Sequence, residues 1–309
     1  MRDPTRRNRN QGTAKRGHSK DNEFVVPSGR EWWRTYADGL RDFVQVERFV
    51  DGRPLLFLVE PVENGYVHPC TPDDVARILE MLPPQATAGP YPLRAIIMRQ
   101  APQKESILWG AWGRFSPSVD VGPVEGAVIF LEAAKPQAEW TWPAKLSFEN
   151  QGEVRRMEAL LERVPGKGNI HRYKMGFAGL RRWVLYHTLI HEVGHWMDYR
   201  RLVVWPYERG ETELVEAIDA YWQRPRIERE SFAHRFSDEW RDALARRSWG
   251  IPFAQQLYAP RLKEEGLDPS WFAAATPEEA EAGKPVGWVL REERTPMFHL
   301  YDWRDAGTK

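Results

Sequence analysis

The sequence predicts an α+β protein, in which a small, twisted, mixed sheet is backed by helices. Strand-like runs separated by turn residues lie between residues 43 and 133. A long helical pattern follows them, and further helical patterns come after it. The chain has 309 residues, of which 42% are hydrophobic and 15 are Trp, and this composition is sufficient for a packed core.

The first two strand-like runs predict a β-hairpin, and a helix is predicted after it. Phe43–Val50 and Leu55–Val62 are rich in β-branched and aromatic residues, and Asp51-Gly52 between them is a strong tight-turn dipeptide. The stretch TPDDVARILEMLPP favours a helix, because Thr71 can act as its N-cap and Pro72 suits the first helical position.

Three further runs predict strands, and they differ in character. Leu93–Gln100 and Gly126–Ala133 are nearly continuous apolar runs, as expected of strands that are buried on both faces. Ser106–Phe115 contains Gly110 and Gly113, which weaken an interior strand and favour an edge position or a close backbone approach. We therefore expect Ser106–Phe115 to lie at an edge of the sheet.

Helical patterns account for most of the chain that follows, while residues 134–178 are otherwise irregular. The predicted helices are Glu153–Arg163, a long helix through FAGLRRWVLYHTLIHEVGHWMDYRR, Glu211–Trp222 and Glu228–Arg247. The order of two strands, a helix, three strands, a long helix and further helices favours a layered α+β architecture.

The net charge is zero, but the charges are unevenly placed. Residues 1–20 carry seven Lys or Arg and one Asp, with almost no apolar side chains to bury. We therefore expect residues 1–22 to be a disordered basic tail. Residues 1–20 could contact nucleic acid or an acidic partner, and a solubilising tail without a ligand is an equal alternative. Beyond the tail, acids balance bases, so no basic nucleic-acid-binding surface is predicted there.

Cys70 is the single cysteine, which excludes an internal disulfide framework and a cysteine-rich zinc ribbon. No window has the roughly 18 continuous apolar residues of a membrane span. The N-terminus lacks the apolar stretch of a secretory signal. We therefore expect a soluble, cytoplasmic protein without a membrane partner, and secretion by a route without a cleaved signal stays open.

The stretch LIHEVGHWMDYR, residues 189–200, indicates a metal site. His191 and His195 are four residues apart, so on a helix they lie on the same face and can bind one zinc ion. Glu192 is rotated by about 100° from His191, which suits a general base that acts on a metal-activated water. The alternative is that two histidines share a buried helix. The position of the motif inside a strongly patterned helix favours the metal site.

A catalytic zinc ion with two histidine ligands needs a third protein ligand. The downstream candidates are His234, His299, Glu208, Glu211, Glu213, Glu216, Asp219, Glu228 and Glu230. Glu230 is preferred, because Ala233 follows one turn later and lets its helix approach the HEVGH helix closely. Gly194 leaves room for a neighbouring segment on the HEVGH helix itself. The other carboxylates are more typical of solvated helix faces.

Two neighbours of the motif are candidates for supporting roles. His187 lies four residues before His191, and it is interpreted as a packing residue or a partner of a ligand rather than as a ligand. Asp198 comes shortly after His195, near the expected end of the helix, where an acid opposes the helix dipole. Its presence there predicts a specific partner, either a neighbouring group or the second ring nitrogen of a ligand histidine, and the alternative is that Asp198 only closes the helix.

HEVGHWMDY followed by ERESFAHRF resembles the gluzincin metallopeptidases, and most of all the catalytic domain of the anthrax lethal factor type. The resemblance implies a zincin-like fold over residues 23–250, with a C-terminal extension, residues 251–309, packed on or near it. It implies that Zn²⁺ is bound by His191, His195 and Glu230, and that Glu192 is the base. It also implies an antiparallel edge strand that pairs with an extended substrate, placed here at Trp109, Gly110, Ala111, Trp112 and Gly113.

The sequence departs from the gluzincin pattern at one position and leaves another role open. Some gluzincins have an Asp four residues after the ligand Glu, where it orients a ligand histidine, and this chain has His234 there. Many use a Tyr or His to stabilise the oxyanion. Tyr221 is the candidate for that role. Tyr207 and Tyr199 are its rivals, and an ordinary packing role for Tyr221 is an equal alternative.

These observations together predict a zinc-dependent metallopeptidase, an endopeptidase that acts on a protein or peptide substrate. Two alternatives come from other functional classes: a catalytically silent zincin-like binding or sensor domain, and a nucleic-acid-associated protein with a structural zinc ion. The presence of Glu192 argues against the silent domain, because a structural zinc ion needs no base. Activity that survives deletion of residues 1–22 would argue against the nucleic-acid-associated protein.

Overall fold

The computed structural model describes residues 42–87, 91–100, 113–136, 139–143, 148–164, 170–174, 176–246 and 253–274. Over these residues the chain forms an α+β arrangement of a five-stranded mixed sheet, a smaller three-stranded sheet, and helices. The predicted α+β class and the mixed sheet are therefore confirmed. The predicted basic tail, residues 1–22, lies outside the described residues.

The larger sheet has the strand order β1-β2-β3-β5-β4. Its strands are β1 (Val44–Val50), β2 (Arg53–Val59), β3 (Ala95–Arg99), β4 (Gly113–Val121) and β5 (Val124–Glu132). β2, β3 and β5 are parallel to one another, and β1 and β4 are antiparallel strands at the two edges. All five residues of β3 are buried, as expected of a strand that is covered on both faces.

The turn between β1 and β2 has the geometry that its sequence predicts. Asp51 and Gly52 both have positive φ, 51° and 73°, and Val50 pairs with Arg53 across a two-residue loop. Two consecutive positive φ values are the mark of the type I′ turn, which suits the right-handed twist of a hairpin. The predicted hairpin is confirmed, although β2 begins and ends earlier than Leu55–Val62.

The described helices are α1 (Pro72–Met81), α2 (Phe148–Leu160), α3 (Phe177–Trp183), α4 (Ile190–Tyr199), α5 (Trp205–Glu208), α6 (Leu214–Gln223), α7 (Arg226–Arg246) and α8 (Ala259–Glu264). The π-helical turns Val184–Leu189 and Arg200–Val204 join α3, α4 and α5 into one continuous helical segment, residues 177–208. The predicted long helix is confirmed, and it extends beyond its predicted end at Arg201. Within the described ranges, no helix is long and apolar enough to cross a membrane.

The start of α1 is fixed by a reciprocal pair of hydrogen bonds. Thr71 Oγ1 accepts from the backbone N–H of Asp74 at 3.1 Å, and Asp74 Oδ2 accepts from the backbone N–H of Thr71 at 3.2 Å. This capping box satisfies two amide groups that the first helical turn leaves without partners. The predicted N-cap at Thr71 is therefore confirmed.

A second sheet lies in the segment that the sequence analysis treated as largely irregular. Its strand order is β6-β8-β7, and its strands are β6 (Glu139–Pro143), β7 (Glu162–Arg163) and β8 (Ile170–Lys174). The helix predicted at Glu153–Arg163 spans Phe148–Leu160 instead, and its last predicted residues belong to β7. Strands of two to five residues are too short for an alternating pattern to identify them.

The main core lies between one face of the larger sheet and the continuous helical segment. Phe57, Ile96 and Ile129 line the sheet side, and Ile190 and Val193 belong to the helical side of the same buried cluster. A smaller cluster on the opposite face of the sheet includes Leu58, Ile97, Val128 and Phe130. The alternation of side chains along β2, β3 and β5 therefore supplies both clusters.

Residues 253–274 pack into the main core, beyond the boundary predicted at residue 250. Phe253, Leu262 and Phe272 belong to the main cluster. Asp74 Oδ1 accepts from the backbone N–H of Gln256 at 2.9 Å, so α1 holds this segment through its capping residue. The described part of the predicted extension thus packs on the domain, and residues 275–309 lie outside the described residues.

Protonation of His68 is expected to destabilise the fold as the pH falls. Burial lowers the pKa of the His68 ring to about 4, although its hydrogen bond to the Glu60 carbonyl opposes this effect. In the unfolded chain the pKa is about 6.5, so the unfolded chain binds the proton more readily. His68 therefore contributes to the free energy of unfolding above pH 6.5. We expect this contribution, about 3 kcal/mol, to be lost as the pH falls from about 6.5 to about 4.

Urea unfolding between pH 7 and pH 4 tests this expectation with His68→Phe as the comparison. Groups other than His68 titrate in both proteins, so the difference between their pH profiles isolates this histidine. The free energy of unfolding should fall by about 3 kcal/mol less in the variant than in the wild type over the same pH range. Parallel pH profiles would show that His68 does not contribute in this way.

Candidate metal centre

α4 carries the HEVGH motif through the interior of the protein. Every residue of α4 except His195 is buried, and the His195 side chain is 16% exposed. Ile190, Val193 and Met197 of this helix are fully buried in the main core. The helix is therefore fixed by packing on most of its surface, which gives the polar side chains of the motif defined positions.

His191, His195 and Glu230 converge on one point. Glu230 Oε2 lies 3.4 Å from His191 Nε2 and 3.5 Å from His195 Nε2. Donor atoms that bind a tetrahedral zinc ion at about 2.0–2.1 Å lie about 3.3 Å from one another. The three side chains form a group that could hold a metal ion, with all ligand atoms within 4.8 Å. The structure thus brings together the three residues that the sequence analysis selected.

Glu230 reaches the motif because α4 and α7 approach closely at two small residues. A Cβ atom added to Gly194 would lie 2.9 Å from Ala233 Cα and 3.1 Å from the Ala233 carbonyl oxygen. Real Cβ atoms essentially never come so close to backbone, so any larger residue at 194 would push α7 away. The sequence predicted that Gly194 leaves room for a neighbouring segment and that Ala233 lets its helix approach closely, and the structure shows that these two residues face each other.

Glu192 lies between α4 and the start of the edge strand β4. Its side chain is buried, and its Oε2 accepts a hydrogen bond of 2.6 Å from the backbone N–H of Phe115. Gly113 lets the strand pass at this distance, since a Cβ atom there would lie 2.5 Å from Thr188 Cγ2 and 3.2 Å from Glu192 Cγ. One oxygen of the predicted base is therefore held by β4.

Glu230 and His195 shift each other's pKa values towards the charged forms. Burial by itself would raise the pKa of Glu230, but hydrogen bonds and charge interactions with His191 and His195 hold it well below its usual range. Burial by itself would lower the pKa of His195, but Glu230 and Glu192 raise it above its usual value. A metal ion bound by the three side chains would likewise be stabilised by the Glu230 carboxylate.

Asp198 has the specific partner that its position near the helix end predicts, and the partner is a pair of arginines. It is fully buried, and it accepts from Arg201 Nη2 at 3.0 Å and from Arg224 Nη1 at 2.7 Å. Both of its oxygens are thereby engaged by guanidinium groups. Asp198 therefore links α4 to the end of α6 through Arg224, and it does not bind the second nitrogen of a ligand histidine in the hydrogen bonds described.

His187 and His234 pack beside the ligand histidine His191. The ring centroids of His234 and His191 are 4.4 Å apart, and those of His187 and His191 are 5.9 Å apart. Burial first, and then the neighbouring histidines, lower the pKa of His187 well below its usual value and that of His234 to about 3. Both rings are neutral at pH 7, so they surround His191 without adding positive charge.

The tyrosine candidates for an oxyanion role lie in different surroundings. Tyr221 is 2% exposed, and its ring packs edge-on against Tyr199 at a centroid distance of 5.1 Å. Burial first, and then Asp198, raise the pKa of the Tyr221 hydroxyl above its usual value. Tyr207 is 37% exposed and packs against Tyr91. The contacts described for Tyr221 are those of a packing residue, and its predicted catalytic role stays a prediction.

The predicted substrate strand is described in part. Trp109, Gly110, Ala111 and Trp112 lie outside the described residues, as does the rest of Ser106–Trp112. Gly113 is the first residue of β4, which is an edge strand and antiparallel to β5. β4 continues to Val121, beyond the end predicted at Phe115. An irregularity between Ser116 and Val119 interrupts its pairing with β5 there.

Two groups that contact the candidate site were not predicted from the sequence. One is the backbone N–H of Phe115 on Glu192, for which a sequence contains no signal. The other is Arg226, whose Nε donates to Glu230 Oε1 at 3.2 Å. Arg226 and Glu230 are four residues apart on one helix, and this spacing is a signal that could have found the pair.

Comparisons of the chain with models of known protein families, with curated proteins and with solved structures find no match.

Proposed function

We propose that this chain is a zinc-dependent metallopeptidase with a zincin-like fold, and an endopeptidase for protein or peptide substrates. The observation that carries the proposal is the convergence of two imidazole nitrogens and one carboxylate oxygen, with Glu192 on the same helix. Two histidines and one glutamate are a ligand set of catalytic zinc sites, which leave a fourth position for water or substrate. The resemblance of HEVGHWMDY and ERESFAHRF to the gluzincins supports the same ligand set.

The residues of the chain have distinct roles in the proposed reaction. His191, His195 and Glu230 would hold Zn²⁺, which supplies polarisation of the scissile carbonyl and a lowered pKa for water. Glu192 would accept the proton of the attacking water and deliver it to the leaving amine. The Phe115 N–H occupies Oε2 of Glu192 and so orients the carboxylate, which leaves Oε1 for this proton transfer.

The edge strand β4 is the proposed place for the substrate backbone. Its pairing with β5 leaves the other side of the strand without a neighbouring strand in the described sheet. Phe115 of β4 contacts Glu192, so a peptide that adds a strand here would pass directly beside the base. This placement supports cleavage of an extended chain.

The zinc content of the purified protein tests the proposed site. We expect one zinc ion per chain in the wild type and a strong loss of zinc in His195→Ala and Glu230→Ala, since each removes a ligand. Glu228→Gln is the matched control, because Glu228 is on the same helix and is paired with Arg224 at the surface. A folded wild type that binds no added zinc would contradict the proposed function.

A further inference from the structure

Three arginines at the corner between α6 and α7 bind different groups. Arg224 binds Asp198, and Arg229 Nη1 donates to main-chain carbonyls at the end of α6. Arg226 donates from Nε to Glu230 Oε1 at 3.2 Å. Of these three arginines, Arg226 is therefore the one that contacts a proposed metal ligand.

The two oxygens of Glu230 have separate surroundings. Oε2 lies 3.4 Å and 3.5 Å from the Nε2 atoms of His191 and His195, whereas Oε1 is bound by Arg226. A carboxylate with one oxygen held in this way presents the other oxygen to the histidines. Its rotation about the terminal bond is also restricted, because rotation would break the hydrogen bond to Arg226.

Helix stability does not account for Arg226 at this position. It is the first residue of α7, where a positive charge opposes the helix dipole. The order of base before acid at a spacing of four residues is the less favourable orientation for such a pair. The Arg226 side chain is 61% exposed, and ion pairs at that exposure contribute little to folding.

We propose that Arg226 is a positioning residue for the metal site. By binding Oε1 of Glu230, it makes Oε2 the single ligand oxygen of that side chain and holds this oxygen towards His191 and His195. This inference rests on the proposed function, because it assigns Arg226 a role only if the three side chains bind a metal ion. Groups that orient metal ligands commonly contribute 10-fold to 100-fold to metal affinity.

The test measures zinc affinity by competition with a chelator for the wild type, Arg226→Met and Arg226→Gln. We expect Arg226→Met to weaken zinc binding by about 10-fold or more, since it removes the donor to Oε1. Arg226→Gln removes the charge but keeps a donor at the same helical spacing, so its affinity should stay close to that of the wild type. Arg235→Met, which removes an exposed arginine elsewhere on α7, is the matched control.

Cobalt(II) in place of zinc provides a readout that does not depend on affinity. We expect the strong visible absorption of a four-coordinate ion in the wild type. In Arg226→Met we expect the weaker absorption of a five-coordinate ion, because the released Oε1 can then bind the metal together with Oε2.

Two results would overturn the inference and leave the proposed function standing. The first is that the wild type and Arg226→Met have the same zinc affinity and the same cobalt spectrum. The second is that Arg226→Gln and Arg226→Met weaken zinc binding equally. A wild type that binds no metal would instead contradict the proposed function itself.

Discussion

Replacement of Glu192 by Gln is expected to reduce peptide hydrolysis by about 100-fold to 10,000-fold, with the zinc content unchanged. Gln has nearly the same shape, and its amide oxygen can still accept the Phe115 N–H that holds Glu192 Oε2. It cannot accept the proton of the attacking water, so the base is lost while the fold and the zinc ligands stay. Cleavage of a peptide library followed by mass spectrometry measures the effect and also locates the cleaved bond.

The comparison of Glu192→Gln with the wild type also separates the proposed peptidase from a silent binding domain. A silent domain would hold zinc in both proteins and cleave the library in neither. Glu228→Gln is again the control, since its side chain is 54% exposed and its ion pair with Arg224 lies outside the proposed site. Undiminished hydrolysis by Glu192→Gln would show that another group is the base.

Replacement of Asp198 by Asn is expected to lower the free energy of unfolding by about 3 kcal/mol, because it breaks a buried ion pair. Asp198 is fully buried, and Arg201 and Arg224 each bind one of its oxygens. An Asn amide offers one acceptor and turns a donor towards the other guanidinium. The side chains of Arg201 and Arg224 are 29% and 23% exposed, so partial hydration keeps the loss at the lower end of the range for buried pairs.

Asp238→Asn is the matched control for Asp198→Asn. Asp238 also accepts from two arginines, Arg156 and Arg241, but its side chain is 37% exposed. Its replacement should cost less than that of Asp198, because the Asp238 carboxylate is partly hydrated, although the side chains of Arg156 and Arg241 are 15% and 10% exposed. Urea unfolding of both variants provides the comparison. Equal losses in the two variants would show that burial of Asp198 between α4 and α6 has no special effect on stability.

Features that depend on residues close together in the chain were predictable from the sequence. The Asp51-Gly52 turn and the Thr71 cap each involve a few consecutive residues, and the structure shows both. The spacing of His191 and His195 also places both rings on one face of any helix that contains them. The choice of Glu230 required one further inference, that Ala233 permits a close helix contact. The position of Ala233 beside Gly194 agrees with that inference.

Features that depend on distant residues were not predictable in the same way. Asp198 predicted a partner, but the chain has 44 Lys and Arg, and charge alone does not select Arg224 at a separation of 26 residues. The short strands β6, β7 and β8 have no pattern of sufficient length, and they form a sheet because they pair with one another. The packing of residues 253–274 likewise depends on contacts with α1 and the main core.

The sequence by itself determined the helical motif with both histidines on one face, the hairpin and the first cap, because helical periodicity and turn geometry act over a few residues. The close packing of α4 on α7 brings Glu230 to the two histidines. The tertiary structure decided how those side chains are held. It placed the Phe115 amide on Glu192, 77 residues away, and it put Arg224 on Asp198. The path of β4 past Gly113 sets the first contact, and the position of Arg224 at the end of α6 sets the second, so both depend on how distant elements pack together.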